Sequence, residues 1–233
     1  MTNGATVSRN CERFLERLDQ VARQCGRNVA EIRLIAVAKT RPIEEVRQAL
    51  ACGLKDIGEN KVQEAQRKYS DIERNFRLHM VGHLQSNKAK AAAKLFDIIQ
   101  SVDSVKLAEI LDLEFTELDK TGEIMLEVNC SGEPQKYGFA PQETLAAAER
   151  IFRMKRVTLT GLMTVAPFTD DDDRIRTSFQ TLKTLFETIK AVHPESQKFT
   201  NLSMGMSDDY PIAVAEGSTM IRIGRALFGS REA

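Results

Sequence analysis

The sequence predicts a single α/β domain spanning residues 1–233, a (β/α)8 barrel of parallel strands preceded by one extra helix. Three observations point there. Short β-like runs recur at 32–39, 56–59, 77–82, 97–102, 123–129, 157–165, 199–204 and 219–224. Between them lie stretches of good helix formers with helical periodicity, and strands alternating with helices build a parallel sheet. The first run ends in Lys39-Thr40-Arg41-Pro42 instead of the GxGxxG loop that would open a doubly wound sheet, so the strands are expected to close on themselves.

The elements follow in order. Val7 to Cys25 is amphipathic and precedes the first strand as the extra helix. The run Ile32 to Lys39 is almost wholly apolar, as a strand covered on both faces must be. Helices are expected at Glu44 to Ala51, Lys61 to Asn75, Asn87 to Leu95, Val105 to Leu118, Pro141 to Arg153 and Arg174 to Val192. The acidic run Asp170 to Asp173 reads as a solvated loop that supplies an N-cap. Tyr210-Pro211-Ile212 marks a helix start, because proline is tolerated in a first helical turn.

Composition excludes several function classes. Lys plus Arg equals Asp plus Glu at 33 each, so the overall field attracts neither nucleic acid nor an anionic membrane, and neither is expected as a partner. Cys11, Cys25, Cys52 and Cys130 form no CxxC pair, and the amino terminus lacks the apolar core of a signal peptide. These features predict a soluble, reduced, cytoplasmic protein. No apolar run approaches the roughly 18 residues of a membrane-spanning helix.

In such barrels the chemistry sits where strands end and loops begin. Lys39 closes the first strand, Asn60 follows the second, Ser203-Met204-Gly205 ends the seventh and Arg222-Ile223-Gly224 the eighth. A lysine entering a parallel sheet is unusual, since burial disfavours its charged form, and a neutral amine there forms Schiff bases. The plain alternative is a loop-start lysine facing solvent. Glycines 205 and 224 allow close backbone approach, which suits a phosphorylated ligand, though each alone is equally a turn residue.

The blocks Ala36-Val37-Ala38-Lys39-Thr40, Gly58-Glu59-Asn60-Lys61-Val62-Gln63-Glu64, His79-Met80-Val81-Gly82-His83-Leu84-Gln85-Ser86-Asn87-Lys88, Gly161-Leu162-Met163-Thr164, Leu202-Ser203-Met204-Gly205-Met206-Ser207-Asp208-Asp209 and Gly217-Ser218-Thr219-Met220-Ile221-Arg222-Ile223-Gly224 stand in order along nearly the whole chain. In these blocks the sequence resembles the pyridoxal phosphate homeostasis proteins, relatives of the barrel domain of alanine racemase. The resemblance implies that Lys39 holds pyridoxal 5′-phosphate as a Schiff base. It further implies that Arg222 faces the pyridine nitrogen, Asn60 lines the ring, and Ser203 with the amides of Gly224 and Arg225 holds the phosphate, Met204 belonging to the same block. An arginine donates but does not accept, so it leaves the ring nitrogen unprotonated and the ring a weaker electron sink. The function implied is a carrier or buffer of the cofactor in vitamin B6 homeostasis and amino-acid balance, without catalytic residues or metal. Apo-enzymes that use the cofactor are the expected recipients, and a monomer is expected, with a dimer left open.

Two competing readings are a small racemase or decarboxylase built on the same lysine, and an interaction module with a vestigial pocket. Arg222 could instead be a strand-end arginine paired with Asp208 or Asp209. His79 and His83 share an HxxxH spacing that does not converge on a strand, so no metal is assigned to them. Lys88, Lys90 and Lys94 read as a solvated helix face. Lys136, in the loop after the fifth strand, matches a family lysine, and its position suggests a part in shielding or handing on the cofactor.

Overall fold

A computed structural model describes residues 4–69, 72–193 and 197–229. Its strands are β1 (Arg33–Val37), β2 (Asp56–Glu59), β3 (Arg77–Met80), β4 (Ile98–Val102), β5 (Gly122–Glu127), β6 (Val157–Met163), β7 (Asn201–Ser203) and β8 (Met220–Ile223). All neighbours pair in parallel and β8 pairs back onto β1, closing the barrel in sequence order. The predicted fold class is therefore correct. Closure leaves no sheet edge exposed.

The helices are α1 (Gly4–Gln24), α2 (Ile43–Ala51), α3 (Val62–Tyr69), α4 (Ala89–Leu95), α5 (Val105–Glu117), α6 (Pro141–Phe152), α7 (Asp172–Val192), α8 (Tyr210–Ala215) and α9 (Arg225–Phe228). Their ends follow local chemistry. Ser104 caps α5 by accepting from the Leu107 amide at 3.2 Å, and Asp171 caps α7 by accepting from Asp173 and Arg174. Pro211 sits in the first turn of α8, as expected. The extra helix α1 packs on α2, α8 and α9, with Phe14 against Tyr210 and Asn10 donating to the Leu227 carbonyl at 3.1 Å.

Several boundaries differ from the expectation. The first strand ends at Val37, so Lys39 stands in the turn that follows and is half-buried. Of the helix expected over Lys61 to Asn75, α3 covers Val62–Tyr69, residues 70 and 71 lie outside the described residues, and 72–75 are not helical; Tyr69 is buried with its ring against Phe76. The seventh strand spans only Asn201–Ser203.

Strand alternation divides the core in two. Leu34, Ala36, Leu78, Met80, Ile99, Leu202, Met204, Ile221 and Ile223 belong to the layer between barrel and helices. Ile35, Ile98, Met125, Met163 and Met220 form a separate apolar cluster inside the barrel. The same parity carries His79, Gln100, Ser203 and Arg222 into the interior, where all are buried.

Candidate functional site at the barrel mouth

The carboxyl ends of the strands enclose a cavity of about 660 Å³ lined by Val37, Lys39, Arg41, Asn60, Val81, Val165, Met206, Ser207, Asp208, Arg222, Gly224, Arg225, Phe228 and Gly229. Lys39, Asn60, Gly224, Arg222 and Arg225 are thus gathered in one place. Lys39 continues the inward series Ile35 and Val37 of β1. Gly82 sits so close to strand β2 that an added Cβ would lie 2.5 Å from the Asn60 carbonyl oxygen, which fixes Asn60 at the rim. Gly205, at φ +96°, turns the chain beyond β7, and a Cβ there would meet that of Ala213 at 2.6 Å.

Two predicted ligand residues lie elsewhere. Met204 is fully buried in the layer outside the barrel, because one residue's step along a strand reverses the face. Ser203 points inward but below the cavity, where its hydroxyl donates to Gln100 Oε1 at 2.7 Å and accepts from Arg222 Nη1 at 2.7 Å. The serine that lines the cavity is Ser207, whose Oγ accepts from the Ala226 amide at 3.3 Å. Both serines belong to one motif, and only the placement of the turn at Gly205 separates them.

The backbone around Lys39 is tied to α3. Lys68 Nζ donates to the Ala38 carbonyl at 2.9 Å, to Glu59 Oε1 at 2.7 Å and to Glu64 Oε1 at 3.2 Å. Glu64 in turn accepts from the Thr40 amide at 2.5 Å, and Tyr69 donates to Glu59 Oε1 at 2.8 Å. Burial raises the Glu59 carboxyl above its ordinary range, while the bonds from Lys68 and Tyr69 act against that rise. Thr40 itself has φ 63°, a left-handed conformation that costs a non-glycine residue energy. Sequence reading did not connect this group, since its members come from the turn after β1, the end of β2 and the helix α3.

Arg222 is deeply buried, and desolvation lowers it to about 10, opposed by the nearby carboxylates of Asp209 and Glu127, so it remains a cation at neutral pH. Its Nη2 donates to the Thr164 carbonyl at 2.7 Å. The pairing considered for Arg222 falls instead to Arg225, which bonds Asp208, while Asp209 accepts from the Met206 amide at 2.5 Å. A guanidinium has more N–H donors than the two spent on Ser203 and Thr164, and Arg222 lines the cavity.

A second cavity of about 200 Å³ adjoins the first across Val165 and is lined by Glu127, Val128, Asn129, Gln135, Lys136 and Tyr137. Burial pushes Glu127 up to about 7, against the pull of Arg222, and its Oε2 is a buried atom with no hydrogen-bond partner. Lys136 bridges two loops by donating to the Ala166 carbonyl at 2.6 Å and pairing with Glu133 at 2.5 Å. The two histidines diverge. His79 is bonded inside the barrel to Asp56, whereas His83 pairs with Asp103 at 3.1 Å and stacks on Tyr137 with ring centroids 3.6 Å apart.

Comparison with known proteins fits this arrangement. The model of the alanine racemase N-terminal domain family matches residues 10–232. The pyridoxal phosphate homeostasis protein of Pasteurella multocida is 36% identical over 230 residues, covering 97% of this chain and 98% of that protein. The chain belongs to the pyridoxal phosphate homeostasis protein family, on the alanine racemase N-terminal fold. Among solved structures, a Bifidobacterium adolescentis protein of unknown role superposes with a TM-score of 0.92 at 33% identity, covering 97% of this chain and 95% of that one. PipY of Synechococcus elongatus, solved with pyridoxal phosphate bound, superposes with a TM-score of 0.78 at 36% identity, covering 91% and 99%. Members of the pyridoxal phosphate homeostasis protein family therefore include one with the cofactor in place on this barrel.

Proposed function

We propose that this protein binds pyridoxal 5′-phosphate at the barrel mouth, with Lys39 as the attachment point, and serves cofactor homeostasis rather than catalysis. The observation that carries the reading is the convergence of Lys39, Asn60, Arg222, Ser207 and the Gly224–Arg225 backbone on one cavity. The donor set suits the group. Arg222 offers N–H groups to a ring acceptor, and the hydroxyl of Ser207 with the Gly224 and Arg225 amides suits a dianionic phosphate. Bound there, the cofactor supplies an aldehyde that condenses with an amine as a Schiff base and releases water. The protein's own groups would do the rest: Lys68 and Glu64 hold the backbone at Lys39, and Arg222, which only donates, would favour a ring nitrogen that accepts.

The relatives' shared name supports a part in pyridoxal phosphate homeostasis, and amino-acid balance is the expected consequence for the enzymes that use the cofactor. Delivery in the cytoplasm to apo-enzymes that need the cofactor, by a monomer, completes the reading. Among the described residues no helix is long and apolar enough to cross a membrane, consistent with that setting. The test is borohydride reduction of protein incubated with pyridoxal 5′-phosphate, followed by peptide mass analysis, with chiral analysis after incubation with L- or D-alanine. An adduct on Lys39, lost in Lys39→Ala, with no isomer interconversion, is the expected result. Interconversion that depends on Lys39 would make the protein a racemase.

A further inference from the structure

Arg222 is the upper end of a hydrogen-bonded string that crosses the barrel interior, and every bond in it has a forced direction. Arginine only donates. Its Nη1 donates to Ser203 Oγ at 2.7 Å, which leaves the serine its one proton for Gln100 Oε1, also at 2.7 Å. The amide nitrogen of Gln100 then lies 3.0 Å from His79 Nδ1 and donates to it. The imidazole proton is accordingly on Nε2, 2.8 Å from Asp56 Oδ1. Burial lowers His79 below its ordinary range, in agreement with a neutral ring, and Asp56, Arg33 and Arg77 are the charged groups around it.

His79, Gln100 and Ser203 are fully buried amid Ile35, Ile98, Met125, Met163 and Met220, where apolar side chains would also pack. A polar string in such a place is costly unless every member is bonded. What it achieves is local to Arg222. Together with the bond from Nη2 to the Thr164 carbonyl, it fixes the guanidinium plane and takes up one of the two donors spent inside the protein, leaving the other N–H groups on a side chain that lines the cavity.

We propose that Ser203, Gln100 and His79 are positioning residues that orient Arg222 and make the mouth selective for a heteroaromatic ring whose nitrogen is an unprotonated acceptor. This inference rests on the cofactor reading above. It makes the buried string a determinant of ligand specificity, with the carboxyls of Glu127 and Asp209 as the other charged groups facing Arg222.

The test compares pyridoxal 5′-phosphate with its N-methylpyridinium analogue, which keeps the aldehyde and phosphate but has no ring acceptor. Wild-type protein is expected to prefer the parent compound by about 10- to 100-fold, the range of a hydrogen bond to a charged group. Ser203→Ala and Gln100→Leu are expected to narrow that preference to about 3-fold and to shift the pH profile of the bound ligand's absorbance, whereas Ser203→Thr, which keeps the hydroxyl, restores both. Folding of each variant is checked by thermal unfolding, and Ser203→Ala, which removes one oxygen, decides the matter if Gln100→Leu does not fold. Unchanged preference and pH profile in folded Ser203→Ala would overturn the role of the string. A wild type that gives no borohydride-trapped adduct at all would instead overturn the cofactor reading.

Discussion

The ammonium of Lys68 lies 2.9 Å from the carbonyl oxygen of Ala38, the residue before Lys39. That contact makes a buried ion pair, Lys68 with Glu59, part of the support for the residue at the centre of the site. The pair is buried on both sides, at 8% and 0% side-chain exposure, so removing one partner strands the other's charge. Lys68→Met is therefore expected to destabilise the fold by about 3 kcal/mol, measured by urea unfolding. In the part that remains folded, Lys39 should be trapped more slowly by cofactor and borohydride. The double variant Lys68→Met/Glu59→Gln should recover most of the lost stability but not the trapping rate, because the Ala38 carbonyl still lacks its donor.

Glu127 predicts an inverted pH dependence. Its folded-state value of about 7 stands above the ordinary 4.5, so between these two values the folded protein holds a proton that the unfolded chain has released. Stability from this group is complete below pH 4.5 and is lost as pH rises through about 7. Glu127→Gln, which is neutral throughout, should be more stable than wild type at pH 8 by about 2 kcal/mol and nearly equal to it at pH 4.5. Denaturant midpoints at the two pH values measure the difference, and equal gains at both would refute the assignment.

Ser207 and Ser203 are separated by a simpler comparison. If Ser207 meets the phosphate, Ser207→Ala should weaken binding of pyridoxal 5′-phosphate by about 10-fold and leave unphosphorylated pyridoxal unaffected. Equilibrium dialysis with the two ligands reads this directly. Ser203→Ala should affect both ligands alike, because its partners are Gln100 and Arg222, and only Arg222 lines the cavity.

The barrel was legible from the chain because its signals are local: apolar runs, helical periodicity between them, and Lys39, Arg222 and Gly224 at run ends. The failures share a cause. Met204 entered the expected site as part of the Leu202 to Asp209 block, and a motif does not say which face of a strand each residue takes; Met204 lies in the layer outside the barrel. Ser203 was assigned to the phosphate because a motif names residue types and not their depth in the barrel. The α3 helix was read as longer because good helix formers continue toward Asn75, and propensity alone does not place a helix end. His79 bonds to Gln100 and so joins strands that no local pattern in the sequence connects.

The groups that hold the Lys39 backbone, Glu59, Glu64, Lys68 and Tyr69, all come from β2 and α3, one uninterrupted stretch of chain. The part of the lining with Ser207, Arg222 and Arg225 comes from the last quarter of the sequence, on and around β8, which pairs with β1 on its other side. The support of the Lys39 backbone and the Arg222 side of the mouth thus come from separate segments of the chain, so substitutions in the distal segment can reshape the lining while leaving that support in place.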